Sequence, residues 1–201
     1  MRFLNAGTNA IMVEVDEVDG LYAALAERPL PGTVDVIPGA RTLLVVFDPA
    51  LTTRERLAAA LAQLPPSAAG PVDRGLVEIP VRYDGEDLAE VARATGLGVR
   101  EVVERHAGAS YTVSFGGFAP GFAYLSGLDP LLRLPRRPVP RVRVAPGSVA
   151  IADRFTSVYP RESPGGWHLL GRTETVMWDL DRSPPALLSP GCRVRFIEVS
   201  P

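Results

Sequence analysis

The first third of the chain alternates between two hydrophobic periodicities. Residues 10–15 are rich in strand-forming side chains, and residues 41–47 form a nearly continuous apolar run that is typical of a buried strand. Residues 17–28 and 53–64 repeat apolar side chains every three or four positions, which predicts two amphipathic helices. The order predicts a small α/β domain over residues 1–66.

A stretch rich in proline, alanine and glycine follows this domain. Residues 67–75 cannot continue a helix and are typical of an interdomain linker. We therefore predict a second domain over residues 76–201.

Short elements separated by turn residues dominate this second domain. Residues 75–82 resemble a strand, and residues 86–106 predict two short helices broken at Gly96-Leu97-Gly98. From Tyr111 onward, short apolar runs alternate with glycine and proline, and 12 of the 20 prolines lie between Pro120 and the end. Candidate strands cover residues 111–115, 142–144, 148–152, 168–172 and 193–199. Many short strands with turns predict an all-β barrel or sandwich, so the chain as a whole is of the α+β class.

Composition places the chain among ordinary globular proteins. Its 201 residues are 46% hydrophobic and 22% charged, with a formal charge of −2, which argues against a general nucleic-acid binder. The first residues lack an apolar signal core, and the longest charge-free stretch, 107–128, is interrupted by glycines and a proline. The single cysteine cannot form an internal disulfide. We expect a cytoplasmic protein that does not enter membranes.

All 21 basic residues are arginines. A lysine-dependent phosphate-binding loop, a pyridoxal or Schiff-base enzyme and a biotin carrier each require a lysine. The composition therefore excludes these three chemistries for this chain.

Few side chains are candidates for catalysis. The two histidines are His106, at the end of a predicted helix, and His168, in a turn before a strand. We consider both as catalytic candidates, although a cap on the helix C-terminus is an equally good interpretation of His106. Cys192 is expected to pack as a small apolar residue. No metal-ligand spacing is present, and we expect no metal site.

Two glycine-rich segments with aromatic residues, 116–125 and 163–173, could bring backbone amides and flat rings to a ligand. Sharp turns at the rim of a barrel, with the aromatic rings in the core, explain the same pattern and are the favoured alternative. Under the first interpretation, segment 163–173 contributes substrate-binding residues and segment 116–125 contributes a partner interface. These candidates are Gly165, Gly166 and Trp167 for substrate, and Phe118, Phe122 and Tyr124 for the partner.

Arginine side chains supply the candidate anion site. Five arginines lie in the proline-stiffened segment 133–143, with no acidic residue between Asp129 and Asp153. A guanidinium binds carboxylate or phosphate through two parallel hydrogen bonds. Arg172, at the end of a predicted strand, is the first candidate and Arg141 the second. Salt bridges from a solvated loop are an equally good interpretation of each loop arginine.

The motifs together resemble one family, allophanate hydrolase subunit 1, which is also called the KipI family and includes the B subunits of bacterial 5-oxoprolinase. The resemblance extends to both ends of the chain. Its motifs are Gly117-Phe118-Ala119-Pro120-Gly121-Phe122-Ala123-Tyr124-Leu125, Pro138-Val139-Pro140-Arg141-Val142-Arg143-Val144, Gly147-Ser148-Val149-Ala150-Ile151-Ala152, Tyr159-Pro160-Arg161-Glu162-Ser163-Pro164-Gly165-Gly166-Trp167 and Leu170-Gly171-Arg172-Thr173.

The resemblance implies a small α/β domain followed by a cyclophilin-like β-barrel. It also implies a subunit that is inactive alone and that opens 5-oxoproline to glutamate, with ATP hydrolysis, together with a KipA-type subunit and a LamB/YcsF-type subunit. ATP would then belong to the complex, and the partner is a possible holder of it. Ser148, within a shared motif, joins the substrate-binding candidates. Two other roles in the family stay open: inhibition of a sensor histidine kinase, and half of a biotin-dependent carboxyltransferase that acts on urea or a similar amide.

The sequence departs from the family pattern at two turns. Residues 144–148 are Val-Ala-Pro-Gly-Ser, where Val-Pro-Ala-Gly-Ser is expected, and residues 153–156 are Asp-Arg-Phe-Thr, where Gly-Gly-Gln-Thr is expected. Phe155 replaces an amide that could donate and accept hydrogen bonds. The resemblance therefore leaves the substrate open.

Overall fold

The chain forms two compact units, Met1–Asp73 and Arg74–Pro201. The structure is a computed structural model and describes residues 1–67 and 74–200. Most of the predicted linker, residues 68–73, lies outside the described residues. The predicted domain limits therefore stay predictions.

The first unit is an antiparallel sheet of four strands with two helices. The strand order is β1-β2-β4-β3. Both predicted strands and both predicted helices are present, while β1 and β3 were not predicted. The elements are β1 (Arg2–Asn5), β2 (Ala10–Glu14), α1 (Val18–Glu27), β3 (Thr33–Pro38), β4 (Thr42–Phe47) and α2 (Arg54–Gln63).

Alternating side chains fix which face of this sheet is buried. Leu43 and Val45 on β4 have no exposed surface and pack with Leu21 of α1. Helix α2 begins after Thr53, whose side-chain oxygen accepts a hydrogen bond from the Arg56 amide at 3.3 Å. The local pattern of residues therefore determines both the sheet face and the start of the helix.

The second unit is built on a seven-stranded sheet in the order β12-β9-β10-β7-β6-β13-β5. Strands β5 and β13 are parallel and all other neighbours are antiparallel. Strands β8 and β11 pair separately. The elements are β5 (Leu76–Val81), α3 (Leu88–Thr95), α4 (Val99–Gly108), β6 (Tyr111–Gly116), β7 (Ala123–Ser126), β8 (Arg141–Val144), β9 (Ser148–Ala152), β10 (Phe155–Val158), β11 (Ser163–Gly165), β12 (His168–Arg172) and β13 (Arg193–Glu198), with a 3₁₀ turn at Pro130–Leu132.

The two edge strands of this sheet meet. Arg82, just after β5, and Arg172, at the end of β12, exchange backbone hydrogen bonds of 2.9 and 2.8 Å. This bridge closes the sheet into a cyclophilin-like barrel, and the predicted α+β class is confirmed. Leucine, valine and isoleucine side chains fill the interior, among them Val149 and Ile151 of β9.

Turn chemistry explains where the elements of the barrel end. Gly96 adopts φ +73° at the end of α3, which produces the predicted break before α4. Asp153, with φ +52°, begins the two-residue turn between β9 and β10. The side chain of Phe155 follows that turn and lies 5.6 Å, ring to ring, from both Phe115 and Tyr124. The residue that departs from the family pattern therefore extends an aromatic cluster.

No helix in the described part of the chain combines the length and the apolar character needed to cross a bilayer.

Candidate functional site

A cleft opens on the outside of the barrel where its edge strands meet, and we call it the seam cleft. Arg82 and Arg172 stand directly opposite each other there. Gly171 makes this pairing possible, because a Cβ atom at its position would collide with the carbonyl oxygen of Arg82. The seam therefore holds two arginines on neighbouring backbones that cannot move apart without breaking the barrel.

Two adjoining cavities of about 700 Å³ each make up the seam cleft, and both are bordered by Arg82, Arg172 and Val199. The volume suits a small molecule. The other lining residues are Pro80, Tyr83, Asp84, Arg100, Pro146, Thr173, Glu174, Thr175, Glu198 and Ser200.

Ion pairs already engage part of this charge. Arg172 lies 2.7 Å from a carboxylate oxygen of Asp84, and 64% of the Arg172 side chain is exposed. Arg100 donates to both carboxylate oxygens of Glu198 at 2.7 and 2.9 Å. Both pairs are open to solvent, so each contributes little to stability and can exchange partners.

A buried hydrogen-bond chain supports the floor of the seam cleft at Tyr83. The Thr156 hydroxyl donates to the carbonyl of Ala150 at 3.0 Å, so it accepts from Nε2–H of His106 at 2.9 Å. Nδ1 of His106 is then the acceptor for the Tyr83 hydroxyl at 2.7 Å. Burial lowers the pKa of His106 to about 3, so the ring is neutral and this direction of the chain is fixed.

The two histidines therefore lie in structural positions. His106 has no exposed surface and is stacked 4.7 Å from the ring of Phe196, and its neutral state does not suit a cationic helix cap. His168 is 7% exposed and its Nε2–H donates to the carbonyl of Pro135 at 2.9 Å. Nδ1 of His168 is a buried acceptor that meets no donor among residues 1–67 and 74–200. Neither ring borders the seam cleft, and their catalytic roles stay predictions.

The proline-rich segment meets acidic residues that the local sequence did not contain. Asp87, buried just before α3, accepts two hydrogen bonds from Arg141 at 2.9 and 2.7 Å and a third from the Leu169 amide at 2.7 Å. Arg137 also pairs with Asp87, and with Glu90 at 3.1 Å. We call Asp87 with Arg137 and Arg141 the Asp87 clamp.

The Asp87 clamp gives Arg141 a structural task. Burial alone would raise the pKa of Asp87, but the hydrogen bonds from Arg141 and Leu169 hold it below its usual value. The carboxylate is therefore charged and fastens the proline-rich segment to β12. The salt-bridge interpretation of this arginine describes its observed contacts, and binding of substrate by Arg141 stays a prediction.

The remaining predicted substrate residues are packed in the scaffold. Ser148 is buried and donates to the carbonyl of Ala145 at 2.8 Å. Gly165 lies against the ring and hydroxyl of Tyr159, where a side chain would collide. Gly166 accepts a hydrogen bond from the Arg137 amide at 2.8 Å, and Trp167 is 5% exposed. None of these four residues lines the seam cleft, although Ser148 pairs with Arg172 across β9 and β12, and their roles in substrate binding stay predictions.

The predicted partner residues belong to an aromatic cluster on the opposite side of β9 from the barrel interior. Phe122 is 3% exposed and packs in the core with Tyr159 and Trp167, and its contact with a partner stays a prediction. Tyr124 is half-buried and stacks on Phe115 at 4.3 Å. Phe118, at φ +67°, keeps 57% of its surface exposed and is the accessible member.

Sequence reasoning missed Arg82, Asp84 and Asp87. The pairing of Arg82 with Arg172 joins residues 90 positions apart, and no local pattern indicates it. Asp87 stands at the N-cap of α3 but forms no side-chain cap hydrogen bond, so the capping pattern does not indicate its pairing with Arg141. Among the described residues no three histidine, cysteine or acidic side chains are grouped as metal ligands.

Comparison with known proteins shows which family this chain is related to. Residues 1–188 match the family model described as "Carboxyltransferase domain, subdomain C and D". Two curated relatives both bear the name of the B subunit of 5-oxoprolinase. The Bacillus subtilis (strain 168) protein is 36% identical over 96% of this chain and 91% of its own length, and the Escherichia coli O157:H7 protein is 40% identical over 95% and 93%.

A solved structure agrees with the barrel and its preceding domain. TTHA0988 is 41% identical with a TM-score of 0.78, and the match covers 96% of this chain but only 40% of TTHA0988. The fold and the family model together define a protein of the carboxyltransferase C and D subdomain class. Within that class, the chain belongs to the family of 5-oxoprolinase B subunits, also called the allophanate hydrolase subunit 1 or KipI family, and the resemblance found in its motifs is confirmed.

Proposed function

We propose that this chain is the B subunit of an ATP-dependent 5-oxoprolinase and is inactive alone. In the complex, 5-oxoproline, ATP and water are converted into glutamate, ADP and phosphate, with KipA-type and LamB/YcsF-type subunits as partners. The observation that carries the proposal is the full-length relationship to two proteins that bear the name of the 5-oxoprolinase B subunit.

The positions of the candidate catalytic groups support a shared site. Hydrolysis of a lactam requires a group that activates water or the ring carbonyl. Both histidines of this chain are held by scaffold hydrogen bonds, and Cys192 is buried. A partner that contributes the reacting groups explains how such a scaffold takes part in catalysis.

The charges of the seam cleft fit ATP poorly. Its lining holds three arginines, Arg82, Arg100 and Arg172, but also Asp84, Glu174 and Glu198. A triphosphate needs an excess of positive charge or a bound cation to offset its own charge. We therefore derive no ATP step through this chain and propose that a partner subunit holds the nucleotide.

Reconstitution tests the proposal. The purified chain, the KipA-type subunit and the LamB/YcsF-type subunit from the same genome are assayed singly, in pairs and together for phosphate and glutamate release. We expect turnover that depends on 5-oxoproline in the three-component mixture, and none with this chain alone.

Two results would overturn the proposal. Turnover by the isolated chain would show that it is autonomous. A three-component mixture without activity, made of well-folded subunits, would instead favour the kinase-inhibitor alternative, which an autophosphorylation assay with the sensor histidine kinase examines directly.

A further inference from the structure

The two arginines of the barrel seam form an unusual cross-strand pair. Arg82 and Arg172 exchange both backbone hydrogen bonds, so their side chains leave the sheet on the same face. Both residues border both cavities of the seam cleft. Like charges that stand directly opposite each other destabilise a strand pair. Such a pair is expected to have anions nearby that offset the repulsion.

The protein supplies one ion-pair partner for the two guanidinium groups. Asp84 pairs with Arg172 at 2.7 Å, and Glu198 is engaged with Arg100. Arg82 forms no ion pair within the described ranges 1–67 and 74–200, although its side chain is partly buried. Arg82, whose backbone is held by the barrel closure, therefore lines the seam cleft without a carboxylate of its own among the described residues.

We propose that the seam cleft binds the carboxylate of a small monocarboxylic acid between Arg82 and Arg172. The geometry favours a planar carboxylate, because a guanidinium presents two parallel N–H groups to it. The three acidic residues in the lining oppose a polyanion, so a single negative charge is the best match for Arg82, the one arginine of the lining that has no ion pair within residues 1–67 and 74–200. Under the proposed function, on which only the identity of the acid rests, this ligand is 5-oxoproline.

Binding to the isolated chain tests the site without any turnover. The probes are 5-oxoproline, its carboxamide analogue and inorganic phosphate, each titrated into the protein and followed by NMR shifts of backbone and arginine N–H groups. We expect 5-oxoproline to bind, and the uncharged carboxamide to bind at least about tenfold more weakly, since it lacks the charge-assisted bonds.

Two variants are expected to change the affinity for 5-oxoproline in opposite directions. Arg82→Gln should weaken 5-oxoproline binding by about tenfold or more, whereas the matched control Arg195→Gln, an exposed barrel arginine paired with Glu78, should leave it unchanged. Asp84→Asn removes the carboxylate that competes for Arg172, so it should tighten binding by a factor of about two to five. A misfolded protein would not bind more tightly, so the gain separates ligand contact from damage to the fold.

Kinetics in the reconstituted complex complete the test. Arg82→Gln should raise the KM for 5-oxoproline and leave kcat nearly unchanged. Equal affinity for the acid and the carboxamide, tighter binding of phosphate, or unchanged binding and KM in Arg82→Gln would each overturn the site. Carboxylate-dependent binding in a complex that lacks oxoprolinase activity would instead overturn the proposed function and leave the site standing.

Discussion

The Asp87 clamp and the seam cleft use the same residue type for different tasks. In the clamp, two arginines converge on one buried carboxylate, and every guanidinium has acidic partners. In the seam cleft, Asp84 pairs with Arg172 at 2.7 Å, and Arg82 has no ion pair among the described residues. Burial of the carboxylate and the number of carboxylates for each guanidinium therefore separate a structural ion-pair cluster from the proposed binding site, although the clamp arginines lie in the more basic stretch of sequence.

The largest expected effect is the loss of the clamp. Asp87→Asn keeps the size of the side chain but removes the buried counter-charge of Arg137 and Arg141, which then keep only the exposed carboxylates of Glu90 and Glu86. Breaking a buried pair in this way costs about 3 to 5 kcal/mol, and we expect a loss near the lower figure because both arginines keep some contact with water. Chemical denaturation of the purified chain measures it.

The control for this variant is Asp153→Asn. Asp153 is an exposed partner of Arg136 at 3.9 Å, and its loss should cost less than about 0.5 kcal/mol. Equal stabilities of the two variants would show that Asp87 does not fasten the proline-rich segment.

The stability of the barrel should also depend on pH, through His106 beneath the seam cleft. His106, which holds Tyr83 at the seam cleft, has its pKa lowered by burial from 6.5 to about 3. A lowered folded-state pKa means that the unfolded chain binds the proton first, so the stability is fully present above about pH 6.5 and is lost as the pH falls toward 3. The contribution decreases by on the order of 1 kcal/mol per pH unit in that window.

The variant His106→Gln isolates this contribution. The variant loses the hydrogen bonds and packing of the imidazole ring, so it should be less stable than the natural chain at neutral pH. Because glutamine does not titrate and His106 does, the difference in stability should shrink at about pH 4.5, inside that window. Denaturation curves at both pH values give the comparison. A constant difference between the two proteins would contradict a neutral, buried His106.

Substitution of arginine by lysine should lower stability in the Asp87 clamp and raise the KM for 5-oxoproline in the seam cleft. Arg141→Lys loses the two-point contact with Asp87 and should cost about 1 to 2 kcal/mol of stability. Arg172→Lys changes an exposed ion pair, so its stability should stay within about 0.5 kcal/mol, while its KM for 5-oxoproline in the complex rises about tenfold. Loss of stability in Arg172→Lys, with an unchanged KM, would make Arg172 a scaffold residue.

The hydrophobic pattern was sufficient to predict the helices α1 to α4 and most of the longer strands, although it missed β3. The nearly continuous apolar run over residues 41–47 predicted β4, and glycine at Gly96 predicted the break between α3 and α4. The short strands β7, β10 and β11 have three or four residues each, and they exist because neighbouring strands supply their hydrogen bonds. Such strands have no periodicity of their own to detect.

The candidate site was predictable only where a local pattern of residues indicated it. Arg172 was identified from its place after a glycine-rich turn, and it does border a cleft. Its pairing with Arg82 and its ion pair with Asp84 depend on barrel closure, which brings β5 and β12 together from far apart in the chain. The Asp87 partner of Arg141 is 54 residues away along the chain, so a count of nearby acids could not reveal it.

The exposed ring of the aromatic cluster, Phe118, is expected to affect association with a partner more than stability. Phe118→Asp replaces a side chain that is 57% exposed, so the free energy of unfolding should change by less than about 1 kcal/mol. If this ring contacts the KipA-type subunit, a charge there should reduce co-purification by about tenfold or more, as expected for an apolar interface residue. The comparison variant Arg82→Gln, on the seam, should leave co-purification intact. Unchanged association in Phe118→Asp would remove the aromatic cluster from the partner interface, because its other predicted members, Phe122 and Tyr124, are less accessible still.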